Sequence, residues 1–370
     1  MLCQNLKIGK LFYRLPLTTR LNLSSELIEE IYSILAEIDG VKNSWTVTGK
    51  LLPQTIERLT QAVIITSSDS SNRIEGNRLT DEQVNDLYKK MRIKKFRTRD
   101  EQEVVGYLET LELVFSHYAE ILIKESSILY LHCQMLKYSD KDARHKGQYK
   151  FGSNRVEAKD QNGRVIGVIF EPTPPHLVSK EMHELLDWYT WAKAESHKHP
   201  LILAANFIFE YLAIHPFQDG NGRTSRLLTN LILLQEDYHF TTVASYERLV
   251  ELNKADYYLA LNQTQKSWKT ENENIVPFLL FFLKIVRLQA QEAMKLLEQD
   301  HFEYLLSEKQ LALWQWACSL SEKTFSRANA ITALGFPPRT VEACIKKLLD
   351  LNKLERLGQG RATRYKVRVD

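Results

Sequence analysis

Twelve consecutive residues, His215-Pro-Phe-Gln-Asp-Gly-Asn-Gly-Arg-Thr-Ser-Arg226, gather the most reactive groups of this 370-residue chain. His215 offers an imidazole, whose ordinary pKa of about 6.5 suits proton transfer at neutral pH. Asp219 offers a carboxylate able to hold a hard divalent cation. Glycines on both sides of Asn221 free the backbone for positive φ, so that successive N–H groups can converge on one oxyanion. Arg223 and Arg226, three apart, project from one helix face. A base beside a polyphosphate cradle is the chemistry these types and spacings describe.

The flanking sequence must position them. An apolar run, Leu201–Ile214, precedes the string and another, Leu227–Leu234, follows it. We therefore expect a helix ending at His215, a tight turn through Asp219–Gly222 and a new helix from about Asn221, its positive end aimed at the cradle. Each residue alone has a plainer reading. A lone histidine is usually a surface residue, as the other nine here are expected to be, a Gly-x-Gly is a turn, and paired arginines are solvated. Their conjunction at fixed offsets is what argues for a site.

The string fits His-Pro-Phe-x-(Asp/Glu)-Gly-Asn-Gly-Arg-x-x-Arg, and the chain resembles the Fic family, tightly over Ile214–Leu228 and loosely from Ser67 to Arg287. The resemblance implies an enzyme that transfers AMP from ATP to a Ser, Thr or Tyr hydroxyl of a target protein, releasing pyrophosphate. It makes His215 the general base, Phe217 the anchor of its loop, and Asp219 the ligand of a Mg²⁺ bridging the α- and β-phosphates. Gly220, Asn221 and Gly222 become the anion cradle, Arg223 and Arg226 the holders of the β- and γ-phosphates. Thr224 and Ser225 complete the ATP-binding stretch.

Upstream, Ser71 and Glu75 stand i, i+4 on one helix face, with Gly76-Asn77 as a stop. By itself this is an ordinary helix end. Beside the motif it resembles the family's inhibitory helix, here about residues 67–77, in which Glu75 pairs with Arg226 and excludes the γ-phosphate. Some relatives use the same glutamate to remove AMP. Between the two elements, Asn154–Val156 and Val165–Phe170 flank a turn signal, Asp160-Gln-Asn-Gly163. In the family such a hairpin, here about 147–171, is the flap along which a target's backbone docks; alone it reads as a surface decoration. Ser245–Gln263 reads as one helix that, by similarity, lies over the adenine with Asn253 and Tyr257, although such tyrosines also suit core packing.

The C-terminal residues differ in character. From Lys323 onward eleven Lys or Arg face four Asp or Glu, a net +7, in a chain whose total is +3. Residues 1–322 therefore sum to about −4. Helices over Gln310–Leu320, Ser326–Leu334 and Arg339–Leu351, followed by a hairpin at Leu354–Leu357 and Thr363–Val369, resemble a winged helix-turn-helix. Its charge fits duplex DNA, with Arg339, Lys346 and Lys347 toward a major groove and Arg361 and Arg364 on the wing; a protein-contact role fits the same pattern. Glu298–Lys309 reads as a linker.

Apolar content of 44% and four cysteines without metal or disulfide spacing suit a globular protein of a reducing cytoplasm. No segment reads as a signal peptide or membrane span, and ATP and Mg²⁺ are the implied substrate and cofactor. Helical periodicity elsewhere, at Ser25–Ile38, Asp81–Met91, Glu101–Glu125, Leu177–Ala194 and Asn206–Ile214, makes the chain mainly α. The expected layout is an N-terminal helical segment (1–120), a Fic-type helical core with a β-hairpin flap (121–305) and a small winged-helix domain (306–370). The resemblance also allows a homodimer. The rival reading is a DNA-binding regulator whose core senses nucleotide; an intact base and metal ligand favour the enzyme, since a sensor needs neither.

Overall fold

The computed structural model describes residues 17–47, 53–79, 83–84, 87, 96, 98–139, 141–154, 156–159, 165–304, 306–358 and 363–368. They are mainly helical and group into two compact units, Met1–Ala293 and Met294–Asp370.

In the first unit α1 (Ser25–Val47), α2 (Pro53–Ile74), α3 (Arg99–His117) and α4 (Glu125–Met135) precede a hairpin, β1 (Val156–Lys159) and β2 (Val165–Phe170). Then come α5 (Pro175–Glu195), α6 (Pro200–Ile214), α7 (Asn221–Gln235), α8 (Tyr246–Leu252), α9 (Lys254–Gln265) and the start of α10 (Val276–Tyr304). Residues 201–214 of α6 are all buried, as a helix apolar all round must be. Pro200 pre-sets the backbone of its first turn. Residues 223–234 of α7 are buried too. These two helices form the centre of the core, and the string that joins them is the reactive one.

Side chains from distant parts of the chain brace this centre. Gly106 lets α3 approach α4 so closely that an added Cβ would collide with the Met135 carbonyl. Arg20 donates to Glu210 of α6 at 2.6 Å and to Asn206 at 2.5 Å, with only 1% of its side chain exposed. Trp268 donates to the same Glu210 carboxylate at 3.2 Å.

Several boundaries differ from expectation for identifiable reasons. The helix expected over Glu101–Glu125 stops at His117, because the Gln235 amide claims the carbonyls of Tyr118 and Ile121, at 2.9 and 2.5 Å. The single helix expected over Ser245–Gln263 breaks at Asn253, with φ −111° and ψ 30°, where the Asn253 amide donates back to the Leu249 carbonyl at 2.8 Å. No linker begins at Glu298, since α10 continues to Tyr304. Asn154, expected to open the first strand, lies outside β1; β1 pairs antiparallel with β2, Val156 opposite Phe170 and Lys159 opposite Val165. The expected turn at Asp160–Gly163 and most of the expected helix at Asp81–Met91 lie outside the described residues.

The second unit contains α11 (Glu308–Ser319), β3 (Thr324–Phe325), α12 (Arg327–Leu334), α13 (Pro338–Asp350), β4 (Leu354–Leu357) and β5 (Arg364–Val367). Ser326 and Asn329 form a reciprocal cap on α12, and Gly335, at φ 65°, ends it. The sheet is antiparallel in the order β3-β5-β4; β3 is a strand the sequence did not announce. Leu313, Phe325, Val341, Cys344, Ile345, Leu348 and Val367 form a core separate from that of the first unit. Arg339, Lys346 and Arg364 are exposed and Lys347 is half-buried, whereas Arg361 lies outside the described residues. Among the described residues no helix is long and apolar enough to cross a membrane.

Candidate active site

His215 terminates α6 in the left-handed region, φ 54° and ψ 60°, a conformation that few non-glycine residues adopt. Its Nδ1 lies 3.2 Å from the Leu212 carbonyl, which can only accept, so Nδ1 carries the proton and Nε2 is a free base. Burial lowers its pKa from 6.5 to about 4; the Leu212 bond pulls upward and the Lys150 charge adds to the lowering. The ring is therefore neutral across the physiological range.

The turn that follows is held from within and from behind. Asn221 accepts from the Phe217 amide and donates to the Phe217 carbonyl, both at 2.8 Å, so its side chain closes the loop rather than facing a ligand. Gly220 carries the positive φ, 84°, while Gly222 does not. What Gly222 provides is room: a Cβ there would collide with Glu75 Oε1. The first-turn N–H groups of α7 have no intrahelical acceptor and open at this point. Thr224 and Ser225 donate to the carbonyls of Gly220 and Gly222, at 2.9 and 2.7 Å, and are buried in the helix.

Behind the turn sits His132 of α4, fully buried and stacked on Phe217 with centroids 3.6 Å apart and planes 2° from parallel. The Gly147 amide donates to its Nδ1 at 2.9 Å, so Nε2 must donate to the Asp219 carbonyl, also at 2.9 Å. Burial holds its pKa down at about 4, against the pull of the Asp219 bond. This histidine corrects the expectation that the other nine lie at the surface. Its place on the apolar stripe Ile128, Leu131, His132, Met135 was the available signal.

Asp219 Oδ1 accepts from the Gly220 amide at 2.5 Å and from Arg223 at 3.3 Å, and Oδ2 accepts from Arg99 at 3.1 Å. Burial works to raise its pKa, but Arg223, the Gly220 amide and Arg99 outweigh it, and the carboxyl is held below its usual value. Oxygens of Glu103 and Asp142 lie within 4.8 Å of one of its own. Sequence reasoning missed Arg99, Glu103 and Asp142, since only the fold brings them to Asp219.

Arg226 is nearly fully buried and meets the end of α2. Its Nε donates to the Ser71 hydroxyl at 2.9 Å; Nη2 donates to the Ser71 carbonyl at 3.0 Å and to Glu75 Oε1 at 2.8 Å. Burial opposes the charge, but Glu75 together with Tyr257 and Tyr107 outweighs it, and the guanidinium's pKa is raised. Ser71 and Glu75 thus reach one guanidinium, although α2 ends at Ile74 and Glu75 stands in the turn beyond it. Lys254 donates to the Ile74 carbonyl at 2.8 Å and braces that turn.

His215, Asp219, the Gly220–Gly222 turn and Glu75 line one cleft of about 370 Å³, with Tyr257, Tyr258, Leu261, Asn262 and Gln265 opposite. Of the two residues expected over the adenine, Tyr257 is part of this lining and Asn253 is not. Arg223 and Arg226 lie behind the turn rather than on the wall.

Residues 122–233 match the family model described as the Fic/DOC family. Over that stretch the chain is similar to the Fic/DOC family. A protein adenylyltransferase Fic of Nematostella vectensis is 29% identical over 220 residues, 57% of this chain and 44% of the relative. A Fido domain-containing protein of Dictyostelium discoideum is 34% identical over 87 residues, 23% of this chain and 61% of that protein. The chain thus spans less than two thirds of the length of these relatives. Among solved structures, a Fic family protein from Desulfovibrio desulfuricans has the same fold, with TM-score 0.59 at 23% identity over 94% of this chain and 98% of its own. A Fic domain-containing protein from Bacteroides thetaiotaomicron gives 0.57 at 24% identity over 71% and 98%.

Proposed function

We propose that this chain transfers AMP from ATP to a hydroxyl side chain of a target protein, and that the structure is its self-restrained form. The observation that carries the reading is a neutral imidazole, with Nε2 unprotonated, in the same cleft as an open helix N-terminus. The target hydroxyl gives its proton to Nε2 of His215 as its oxygen bonds to the α-phosphorus; the bond to the bridging oxygen breaks and pyrophosphate leaves. The first-turn amides of α7 stabilise the charge that develops, and orientation supplies much of the rest. Asp219 suits Mg²⁺, since its carboxylate lines the cleft and two further carboxylates stand beside it. When bound, that ion would neutralise phosphate oxygens.

Restraint follows from Glu75, whose carboxylate occupies Arg226 and presses against Gly222, where phosphate oxygens would lie. A charge-assisted Arg–carboxylate bond is strong and repels a like-charged triphosphate. The same glutamate could orient water for the reverse reaction, removal of AMP. With labelled ATP and Mg²⁺, we expect weak labelling of lysate proteins by the parent chain, strong labelling by Glu75→Gly, and none by His215→Ala, which should still bind ATP. Equal labelling by the parent and Glu75→Gly chains would remove the restraint.

A second proposal concerns the C-terminal unit. Its net positive charge and the exposed Arg339, Lys346 and Arg364 support contact with duplex DNA. Binding should weaken steeply as salt rises, because phosphate contacts release counterions. Binding that ignores salt would leave a protein-contact role.

A further inference from the structure

The backbone that carries the base is held by hydrogen bonds from an unexpected place. Four consecutive carbonyls, those of residues 214 to 217, each accept from the segment 150–154. Lys150 Nζ donates to the Ile214 carbonyl at 3.2 Å, and the Lys150 amide donates to the Pro216 carbonyl at 2.9 Å. Asn154 Nδ2 donates to the His215 carbonyl at 3.4 Å and to the Phe217 carbonyl at 2.7 Å. Lys150 Nζ also donates to Asn154 Oδ1 at 2.7 Å, which fixes which way the amide faces.

Two physical points make this more than incidental contact. His215 is held in the left-handed region, and a strained residue persists only where its surroundings over-determine it. Burying an ammonium among neutral oxygens is costly. Lys150 is 4% exposed, and the partners of its Nζ are a carbonyl and a side-chain amide. A surface lysine would have served equally well had the segment been a mere connector. Two residues beyond Asn154 the chain enters β1, so these hydrogen bonds tie the stem of the hairpin to the loop of the base.

We propose that Lys150 and Asn154 are positioning residues, a clasp that sets the His215 imidazole from the stem of the hairpin. The consequence for transfer rests on the reading above. A target lying along β1 and β2 pulls on the stem, and the stem holds the four carbonyls around the base. Docking and proton transfer are thereby joined by hydrogen bonds rather than by proximity alone.

The test uses the full chain with ¹⁵N-labelled histidine, the His215 ring signals being those lost in His215→Ala. Asn154→Asp keeps the shape but removes the donor, Lys150→Met removes the charge, and Lys150→Arg restores a donor. The parent should show one Nδ1–H tautomer for His215; Asn154→Asp and Lys150→Met should show an averaged ring, and Lys150→Arg should largely recover the parent signals. In the Glu75→Gly background, kcat should fall on the order of 10²-fold, as for a base misplaced by about 1 Å, while KM for ATP changes little. Unchanged ring signals together with unchanged kcat would overturn the clasp. So would parallel losses of ATP affinity and kcat with Lys150→Arg no better than Lys150→Met, which would mark general loosening. Should Glu75→Gly transfer no AMP while the ring signals still respond, the proposed reaction falls and the clasp stands.

Discussion

Two imidazoles of the first unit are neutral for the same physical reason and serve different ends. His132 uses both nitrogens to hold backbone and its face to hold Phe217, whereas His215 uses one nitrogen for backbone and keeps the other for the cleft. Burial lowers both from 6.5 to about 4. The unfolded chain therefore takes up protons first as pH falls. The stability these rings contribute is complete above about pH 6.5 and is lost as pH drops toward 4. A urea midpoint that declines between pH 6.5 and 5, above most carboxylate titrations, is expected; a flat midpoint over that interval would contradict the assigned burial. The same low value keeps His215 unprotonated at neutral pH, so the acid limb of transfer by Glu75→Gly should lie well below pH 6.

At the scale of elements, the proposed restraint depends on where α2 ends. Lys254, at the start of α9, donates to the last carbonyls of α2 and meets the negative end of its dipole, an interaction worth about 0.3–1 kcal/mol. Lys254→Met should loosen the Glu75 turn and raise basal labelling by the parent chain about two- to fivefold, the same energy expressed as a population. Labelling no higher than the parent's would show that Arg226 alone holds Glu75. The sequence displayed the motif, Ser71, Glu75 and both helices that flank His215, because those signals are local in spacing. It also announced Asn221 and Gly222, yet not their tasks, since closing a loop and leaving room for a carboxylate depend on neighbours distant in sequence. His132, Arg99, Lys150 and Asn154 had no local signal of comparable strength. Helix ends at His117 and Asn253 were likewise set by bonds that periodicity does not record, the first from Gln235.

For the whole molecule, the Arg20 anchor is the informative case. Its guanidinium reaches Glu210 and Glu273 while almost wholly buried, and Glu210 also receives Trp268. Removing one partner of a buried pair leaves the other uncompensated, so Arg20→Ala should cost roughly 3–5 kcal/mol. Denaturant melts of the full chain would measure it, and a loss below about 1 kcal/mol, typical of exposed pairs, would show that water already screens the site. The fold likeness that spans 94% of the chain fits this picture of parts far outside residues 122–233 sustaining the centre.

Anyone trimming the gene for expression meets that anchor directly. A fragment cut to the matched stretch discards residue 20 along with Trp268 and Glu273, stranding a carboxylate in oil on the helix that ends at His215. Such a fragment should come out of cells insoluble, with its signature string intact and nothing left to shape it.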